Sequence, residues 1–383
     1  MLAWLLLVLI GASLAYGVVV LLAAARLGRR PHVPTEAFLP PVTILKPVKG
    51  MDTGLLENFR SFCRQDYPEY EVVFGVADPE DPAVPVIHRV IAEHPGTTAR
   101  LVLCLERLGP NGKVSNLDQM AGLARHDILI VSDSDTRVEP EYLRRVAAPL
   151  ADARVGVVTA LYRGVAPEGL AAHLERLMIH ATFVPGILAG YLLEGITFAF
   201  GATMAVRRKV LDEMGGFAAF AHMLNEDYQI AQRALAAGHA VALADLVVDC
   251  VLGRMAFHDV FARQVRWSRT NRIARPGGYA LAVIRHGVFW SLLLLLAQGP
   301  TPLALGALAA TAALRLTIVV TVTTWVLRAP NPARGLWLLP LADALSLLIW
   351  ALAFTGSTVT WRGQRFRVSR EGHLEPIRRR NSS

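Results

Sequence analysis

The chain carries two kinds of hydrophobic pattern. At both ends the apolar residues run almost without a break; in the middle they come in short bursts separated by charge and glycine. Residues 1–25 are nearly all apolar and carry no charge before Arg26, with Arg29 and Arg30 close behind. That length suffices to cross a bilayer. A signal peptide carries its charge ahead of the apolar run, so the reversed flanks predict an uncleaved anchor with the following domain in the cytoplasm. Near the other end, 281–297, 303–327 and 336–354 are further apolar runs, and Arg285 and His286 interrupt the first. The tail from Val359 holds seven arginines against two glutamates, which predicts a cytoplasmic tail. A cytoplasmic domain and tail need an even number of crossings between them. Three runs do not fit, so 281–297 is expected to lie in the interface or to re-enter. Arg315 and Asp343 sit inside the other two, where a charge is costly unless it pairs or serves function.

Between the ends the period changes. Short β-rich bursts at 42–45, 70–76, 101–104 and 128–131 alternate with helical patterns at 55–63, 84–93 and 113–125. In the first helix Leu55, Leu56, Phe59 and Phe62 share a face. This rhythm predicts a mostly parallel sheet with helices on both faces, whose ligands gather at the C-terminal strand ends. Further on, 141–150 reads as a helix, 155–162 as a strand and 170–188 as an apolar helical stretch containing His173 and His180. The run 195–206 is strand-like, broken by Gly201, and is expected to form part of an acceptor wall. Helices at 207–216 and 228–237 and a strand at 241–251 follow. The expected domains are an anchor at 1–25, a catalytic domain at 40–275, a membrane region at 281–356 and a basic tail at 359–383.

Composition sharpens this picture. The 383 residues are 53% hydrophobic and only 18% charged, against about a quarter charged in soluble domains. The net charge of +8 does not imply nucleic acid, because the arginines cluster beside apolar runs and aromatic interleaving is absent. Cys63, Cys104 and Cys250 are scattered in apolar contexts and read as core residues.

The chemistry centres on Ser132-Asp133-Ser134-Asp135, which follows the apolar strand 128–131. Two carboxylates two residues apart at a strand end can seat a hard cation and a phosphate. Asp78 falls at an equivalent strand end. No glycine-rich dinucleotide fingerprint or phosphate-loop motif is present. Glu226-Asp227 opens a helix, where carboxylates are also favoured simply by the helix dipole. Arg263, Arg266, Arg269, Arg272 and Arg275 recur every third residue, with Trp267 among them. One reading is a membrane-surface helix with snorkelling arginines. The other is a diphosphate clamp from Arg263 and Arg266.

Taken together, the motifs resemble a processive-type family A glycosyltransferase. More closely, they resemble the ceramide glucosyltransferases of glycosyltransferase family 21, including the bacterial hopanoid-associated branch. The resemblance rests on Lys-Pro-Val-Lys-Gly at 46–50 and the segments 62–72 and 78–83. It continues through Gly-Pro-Asn-Gly-Lys at 109–113, Ser-Asp-Ser-Asp-Thr-Arg-Val at 132–138, and Glu-Asp-Tyr at 226–228. Arg-Gln-Val-Arg-Trp at 263–267 and the tail segment 361–368 complete it. It implies an α/β family A glycosyltransferase fold with N-terminal and C-terminal transmembrane helices, in a multi-pass protein of a bacterial inner membrane with its catalytic domain cytoplasmic.

The resemblance also implies roles. Asp78 holds the uridine end of a UDP-sugar, with Lys46 and Lys113 on the donor side. Asp133 and Asp135 face a divalent cation, Mg²⁺ or Mn²⁺, on the diphosphate, although the animal ceramide enzymes have Gly where this chain has Asp135. Asp227 is the general base; Arg263, Arg266 and Trp267 close over the diphosphate and sugar. His180 matches a histidine of the animal enzymes and reads equally as a structural residue. The expected reaction moves a hexose from UDP to a lipid hydroxyl with inversion, with ceramide the expected acceptor and glucose the sugar. Alternatives are N-acetylglucosamine transfer to a bacteriohopanepolyol, a polysaccharide synthase-like enzyme, or a non-catalytic membrane scaffold. The expected partners are the UDP-sugar, the lipid acceptor and membrane lipid, and no nucleic acid.

Overall fold

The computed structural model describes residues 1–28, 38–361, 364–369 and 371–377. Arg29, Arg30 and part of the basic tail lie outside the described residues. The chain runs α1 (Leu2–Gly28), β1 (Val42–Val48), α2 (Leu55–Cys63), β2 (Tyr70–Val76), α3 (Val84–Glu93), β3 (Thr98–Leu103), α4 (Gly112–Leu123), β4 (Ile128–Val131) and β5 (Thr136–Arg137). Next come α5 (Tyr142–Ala147), β6 (Val155–Glu168), α6 (Gly169–Leu177), α7 (Val184–Glu194), β7 (Met204–Arg207), α8 (Arg208–Glu213), α9 (Glu226–Ala236), β8 (Ala240–Arg254) and α10 (Phe257–Ala274). The last elements are α11 (Pro276–Leu281), α12 (Gly287–Gln298), α13 (Pro302–Thr321), α14 (Leu339–Leu352), β9 (Thr358–Trp361), β10 (Gln364–Val368) and β11 (Leu374–Pro376). They divide into a helical unit of Met1–Pro31, Glu168–Gly195 and Met255–Ser357, and an α/β unit of His32–Pro167, Ile196–Arg254 and Thr358–Ser383.

The α/β unit is built on an eight-stranded sheet ordered β3-β2-β1-β4-β7-β6-β8-β5. Its first four strands are parallel, with Val42 of β1 opposite Tyr70 of β2 and Ile128 of β4. Every residue of β1 and β4 is buried, as expected of strands covered on both faces. β7 then pairs antiparallel with β4 and with β6, and β5 pairs antiparallel with β8. Helices α2, α3 and α4 connect the parallel strands, as the alternating pattern predicted. Leu55, Phe59 and Phe62 are the buried stripe of α2.

One core cluster decides where the chemistry lands. Leu45, Leu129 and Val131 of the sheet pack with Val114, Leu117 and Met120 of α4 and with Ile230, Ala231 and Ala234 of α9. The first turns of α4 and α9, carrying Lys113 and Asp227, are thereby fixed by the same packing. The Asn111 side chain caps α4 by accepting from the Val114 N–H at 3.2 Å, a contact worth about 1 kcal/mol. The run 195–206 differs from its reading as a strand: only Met204–Arg207 is one, and the residues before it form a loop. That loop is apolar because it is buried, with Phe198, Ala199 and Phe200 all under 10% exposed.

Four helical stretches of the described residues are long and apolar enough to cross a membrane: Leu2–Gly28, Gly169–Glu194, Pro302–Val326 and Leu336–Thr355. Gly169–Glu194 is a fourth such stretch beyond the terminal runs; the sequence marks 170–188 only as an apolar helical stretch containing His173 and His180. His180 is buried within a π-helical turn, Met178–Phe183, between α6 and α7. The first C-terminal run is not straight: Pro276–Arg285 and Gly287–Gln298 meet at 56° around His286. Arg315 and Asp343 do pair, with Arg315 Nε donating to Asp343 Oδ2 at 3.1 Å. A second guanidinium nitrogen donates to the other carboxylate oxygen and a third to the Ala181 carbonyl. The pair is part-buried, and it offsets the cost of placing either charge at that depth.

Candidate active site

β4 ends at Val131, and the chain turns through Ser132-Asp133-Ser134-Asp135 into β5. Several groups hold this turn from below. Ser132 N–H donates to the Leu45 carbonyl at 3.1 Å, and its hydroxyl lies 2.7 Å from Thr136 Oγ1. Ser134 Oγ donates to Asp52, and the Asp135 carbonyl accepts from Val251 N–H at 2.8 Å. Lys46, read from sequence as a donor contact, has no exposed surface. Its ammonium donates to Thr136 Oγ1 at 3.0 Å and to the Asp133 carbonyl, and sits 3.7 Å above the Phe62 ring. Burial pulls it down to about 7, against the upward pull of Asp133, Asp135 and Asp52. In this conformation Lys46 is a strut beneath the Asp-x-Asp turn.

Above the turn lies a charged network. Lys113 Nζ is 2.7 Å from Asp133 Oδ1 and 2.9 Å from Glu226 Oε1. Burial alone would lower this ammonium, but Asp133, Glu226 and Asp227 more than offset that and hold it above the usual lysine range. Glu226 is itself buried and accepts from Asn111 Nδ2 at 3.1 Å. The Asp227 carboxylate accepts from Gly201 N–H at 2.9 Å and from its neighbour Tyr228 N–H at 2.8 Å. Burial raises it to about 7 and adjacent Glu226 adds to the rise, while Lys113 and the Tyr228 N–H oppose it. A carboxylate held there suits a general base near neutral pH.

Gly201 joins the two acidic positions. Its N–H binds Asp227 and its carbonyl accepts from Asp133 N–H at 3.2 Å. A Cβ there would stand 2.7 Å from Lys113 Nζ and 2.9 Å from Asp133 Oδ2. Any side chain there would have to push both aside. Asp133 and Asp227 thus share a backbone bridge through Gly201 and one cation, Lys113. The Asp133 carboxylate keeps 39% of its surface exposed, so it is open to a ligand.

No group of three or more His, Cys, Asp or Glu side chains that could hold a metal occurs among the described residues. Asp133 and Asp135 offer two carboxylates. Such a pair fits a cation of the Mg²⁺ type, which takes one or two protein carboxylates and completes its shell with substrate phosphates and water.

Asp78 follows β2 and is exposed; its side chain accepts from the local Glu80 N–H at 3.0 Å, and its carbonyl accepts from Asp81 N–H at 3.1 Å. Nearby Asp81 is buried and accepts from Gly50 N–H with both oxygens, at 3.0 and 2.9 Å, tying the loops after β1 and β2 together. Arg263, Arg266 and Trp267 lie on α10 in the helical unit, within a turn of one another. Arg263 is 3.5 Å from buried Glu175, which also accepts from Gln264 at 3.0 Å. Asp249, set aside from sequence as an edge residue, pairs with Arg163. Sequence reasoning missed Gly201, Asn111 and Asp81, and it passed over Glu226 as the neighbour of Asp227. The only signals were the Gly inside an apolar run and a doubled acid at a helix start.

Comparison with known proteins adds the family. A ceramide glucosyltransferase 1 of Caenorhabditis elegans is 28% identical over 213 residues, covering 55% of this chain and 46% of that protein. A ceramide glucosyltransferase of Gibberella zeae is 34% identical over 150 residues, covering 36% and 28%. The matches therefore span less than half the length of these relatives. A solved mannosyltransferase from Pyrobaculum calidifontis, in complex with GDP-mannose and Mn²⁺, shares the fold at a TM-score of 0.57 and 19% identity, over 93% of this chain and 98% of that one. The fold is thus that of the family A glycosyltransferases. Because the family model described as "Glycosyl transferase family 21" matches residues 5–374, the chain belongs to glycosyl transferase family 21.

Proposed function

We propose that the protein is a membrane-bound, inverting transferase that moves glucose from UDP-glucose to the primary hydroxyl of ceramide. The observation that carries the reading is the Gly201 bridge, which holds Asp133 and Asp227 in one network. Inversion needs a base on the acceptor side and a stabilised leaving group on the other. Asp227 takes the hydroxyl proton as the lipid oxygen attacks the anomeric carbon. The bond from that carbon to the diphosphate oxygen breaks, and UDP leaves with the electron pair. Gly201 N–H aims the base, and Lys113 holds Asp133 while adding positive charge on the donor side. Asp133 and Asp135 would hold a divalent cation, which when bound neutralises charge on the departing diphosphate. Asp78 is assigned to the uridine end; Arg263, Arg266 and Trp267 are assigned to the diphosphate and sugar by the family motif. Lys46 acts indirectly, by supporting the Asp133 turn.

Relatives named for ceramide glucosylation support the acceptor and the sugar, and a neighbour bound to a nucleotide sugar and Mn²⁺ supports the donor class and the cation. The apolar helices and Arg26 at the end of α1 support a multi-pass membrane protein with its α/β unit in the cytoplasm; the bacterial inner membrane is the assigned membrane. The test supplies the full chain with UDP-glucose or UDP-N-acetylglucosamine, and with ceramide or a bacteriohopanepolyol, with and without Mg²⁺ or Mn²⁺. Mass analysis is expected to return glucosylceramide, formed only with the cation. A product from the hopanoid alone would overturn the acceptor, and no sugar transfer at all would overturn the reading.

A further inference from the structure

The tail segment 361–368 belongs to the family motif, yet the reaction above gives it no work. The described tail residues are not a loose end. β9, β10 and β11 form a three-stranded antiparallel sheet, with Phe366 opposite Val359 on one side and Pro376 on the other. Val359, Phe366, Val368 and Leu374 are all buried. The turn into β11 is pinned by Ser369, whose hydroxyl accepts from His373 N–H at 3.1 Å. Gly372, at a φ of +87°, closes it in the left-handed region that favours glycine.

This small sheet is stitched to the loop that precedes the base. Leu374 N–H donates to the His222 carbonyl at 2.7 Å, Leu224 N–H donates to the Gly372 carbonyl at 3.4 Å, and Met223 and His373 form an antiparallel bridge. A second grip comes from Asn111, whose N–H donates to the Ala221 carbonyl at 3.0 Å and whose Nδ2 donates to the Met223 carbonyl at 2.8 Å. The segment leading into Glu226 and Asp227 is thus clamped by the cap of α4 and by β11.

We infer that the tail sheet is a positioning element for catalysis: β11 and the turn before it set the entry of α9 and so the aim of Asp227. The inference rests on the reading of Asp227 as the base. Proton transfer depends on sub-ångström placement, so a loosened loop should cost turnover while leaving the donor site formed.

The test uses the full chain with UDP-glucose and ceramide in detergent micelles. Leu374→Pro deletes the N–H that reaches His222. Its kcat is expected to fall about tenfold to a hundredfold with the donor KM within about twofold, and the amides of 222–230 should exchange with deuterium faster while those of 128–138 stay protected. A chain ending at Val368 should lose more, and a peptide of residues 369–383 should restore part of its activity. Should Leu374→Pro turn over like the wild type, the inference fails, whether or not exchange rises. The same holds if its donor KM climbs as steeply as kcat falls, or if the peptide restores nothing. Asp227→Asn, assayed alongside, separates the two claims. Full transfer by that variant sinks the base assignment, whereas a normal Leu374→Pro beside an inactive Asp227→Asn sinks the tail's role alone.

Discussion

Two strand-end loops of the same sheet carry an aspartate, and they are built differently. The loop after β4 is held by Ser132, Thr136, Lys46 and Gly201, so the Asp133 backbone is fixed. The loop after β2 is tied down by buried Asp81, which leaves Asp78 exposed beside it. The difference teaches that position at a strand end does not set a carboxylate's job. Groups that must meet developing charge are preorganised by their neighbours. A group that only binds one end of a ligand can sit on an anchored but open loop.

The sharpest way to break this contrast is at the base. Asp227→Asn should lower kcat by about 10²- to 10⁴-fold, the usual worth of a general base, with stopped-rate product assays as the readout. Next in size, Gly201→Ala should cost about a hundredfold in kcat, because its Cβ would push on Lys113 Nζ and Asp133 Oδ2. A crystal structure of that variant with Lys113 and Asp133 undisturbed would refute the bridge. A smaller effect is expected at the open loop: Asp78→Ala should raise the donor KM about tenfold, the scale of one lost charge-assisted hydrogen bond, with kcat and thermal midpoint unchanged. Asp81→Ala should instead lower the thermal midpoint by several degrees, since it strips the acceptors of the Gly50 and Ala83 N–H groups.

The pH profile sharpens the same comparison. As the proposed base, Asp227 must be deprotonated to act, and burial raises its carboxyl to about 7. The rate should therefore fall as pH drops through that region, and the acid limb should vanish in Asp227→Asn. An Asp78→Ala enzyme should keep it.

Much of the sheet was legible. The strands at 70–76 and 128–131 and the helices at 55–63 and 84–93 fall where the periodicity placed them, because each is a short apolar burst with polar punctuation. The run 195–206 failed for a stated reason: a buried loop is as apolar as a buried strand, and periodicity cannot part them. Its backbone at Gly201 is what brings Asp133 and Asp227 together, and backbone hydrogen bonds leave no mark in side-chain chemistry. Lys46 points inward at the Asp133 carbonyl and Thr136, an orientation that a motif does not record. Glu226 was hidden by its neighbour, since a doubled acid at a helix start also satisfies the dipole. The tail was read from its charge, yet its buried positions, Val359, Phe366, Val368 and Leu374, are what dock it.

The central claim is that Asp133 and Asp227 serve one donor in different capacities, the first in binding and the second in chemistry. Titration of UDP-glucose into the full chain, with and without Mn²⁺, tests it most directly. Asp133→Ala should lose the Mn²⁺-dependent part of the affinity while Asp227→Asn binds like the wild type. Equal loss in both variants, or in neither, would contradict the account.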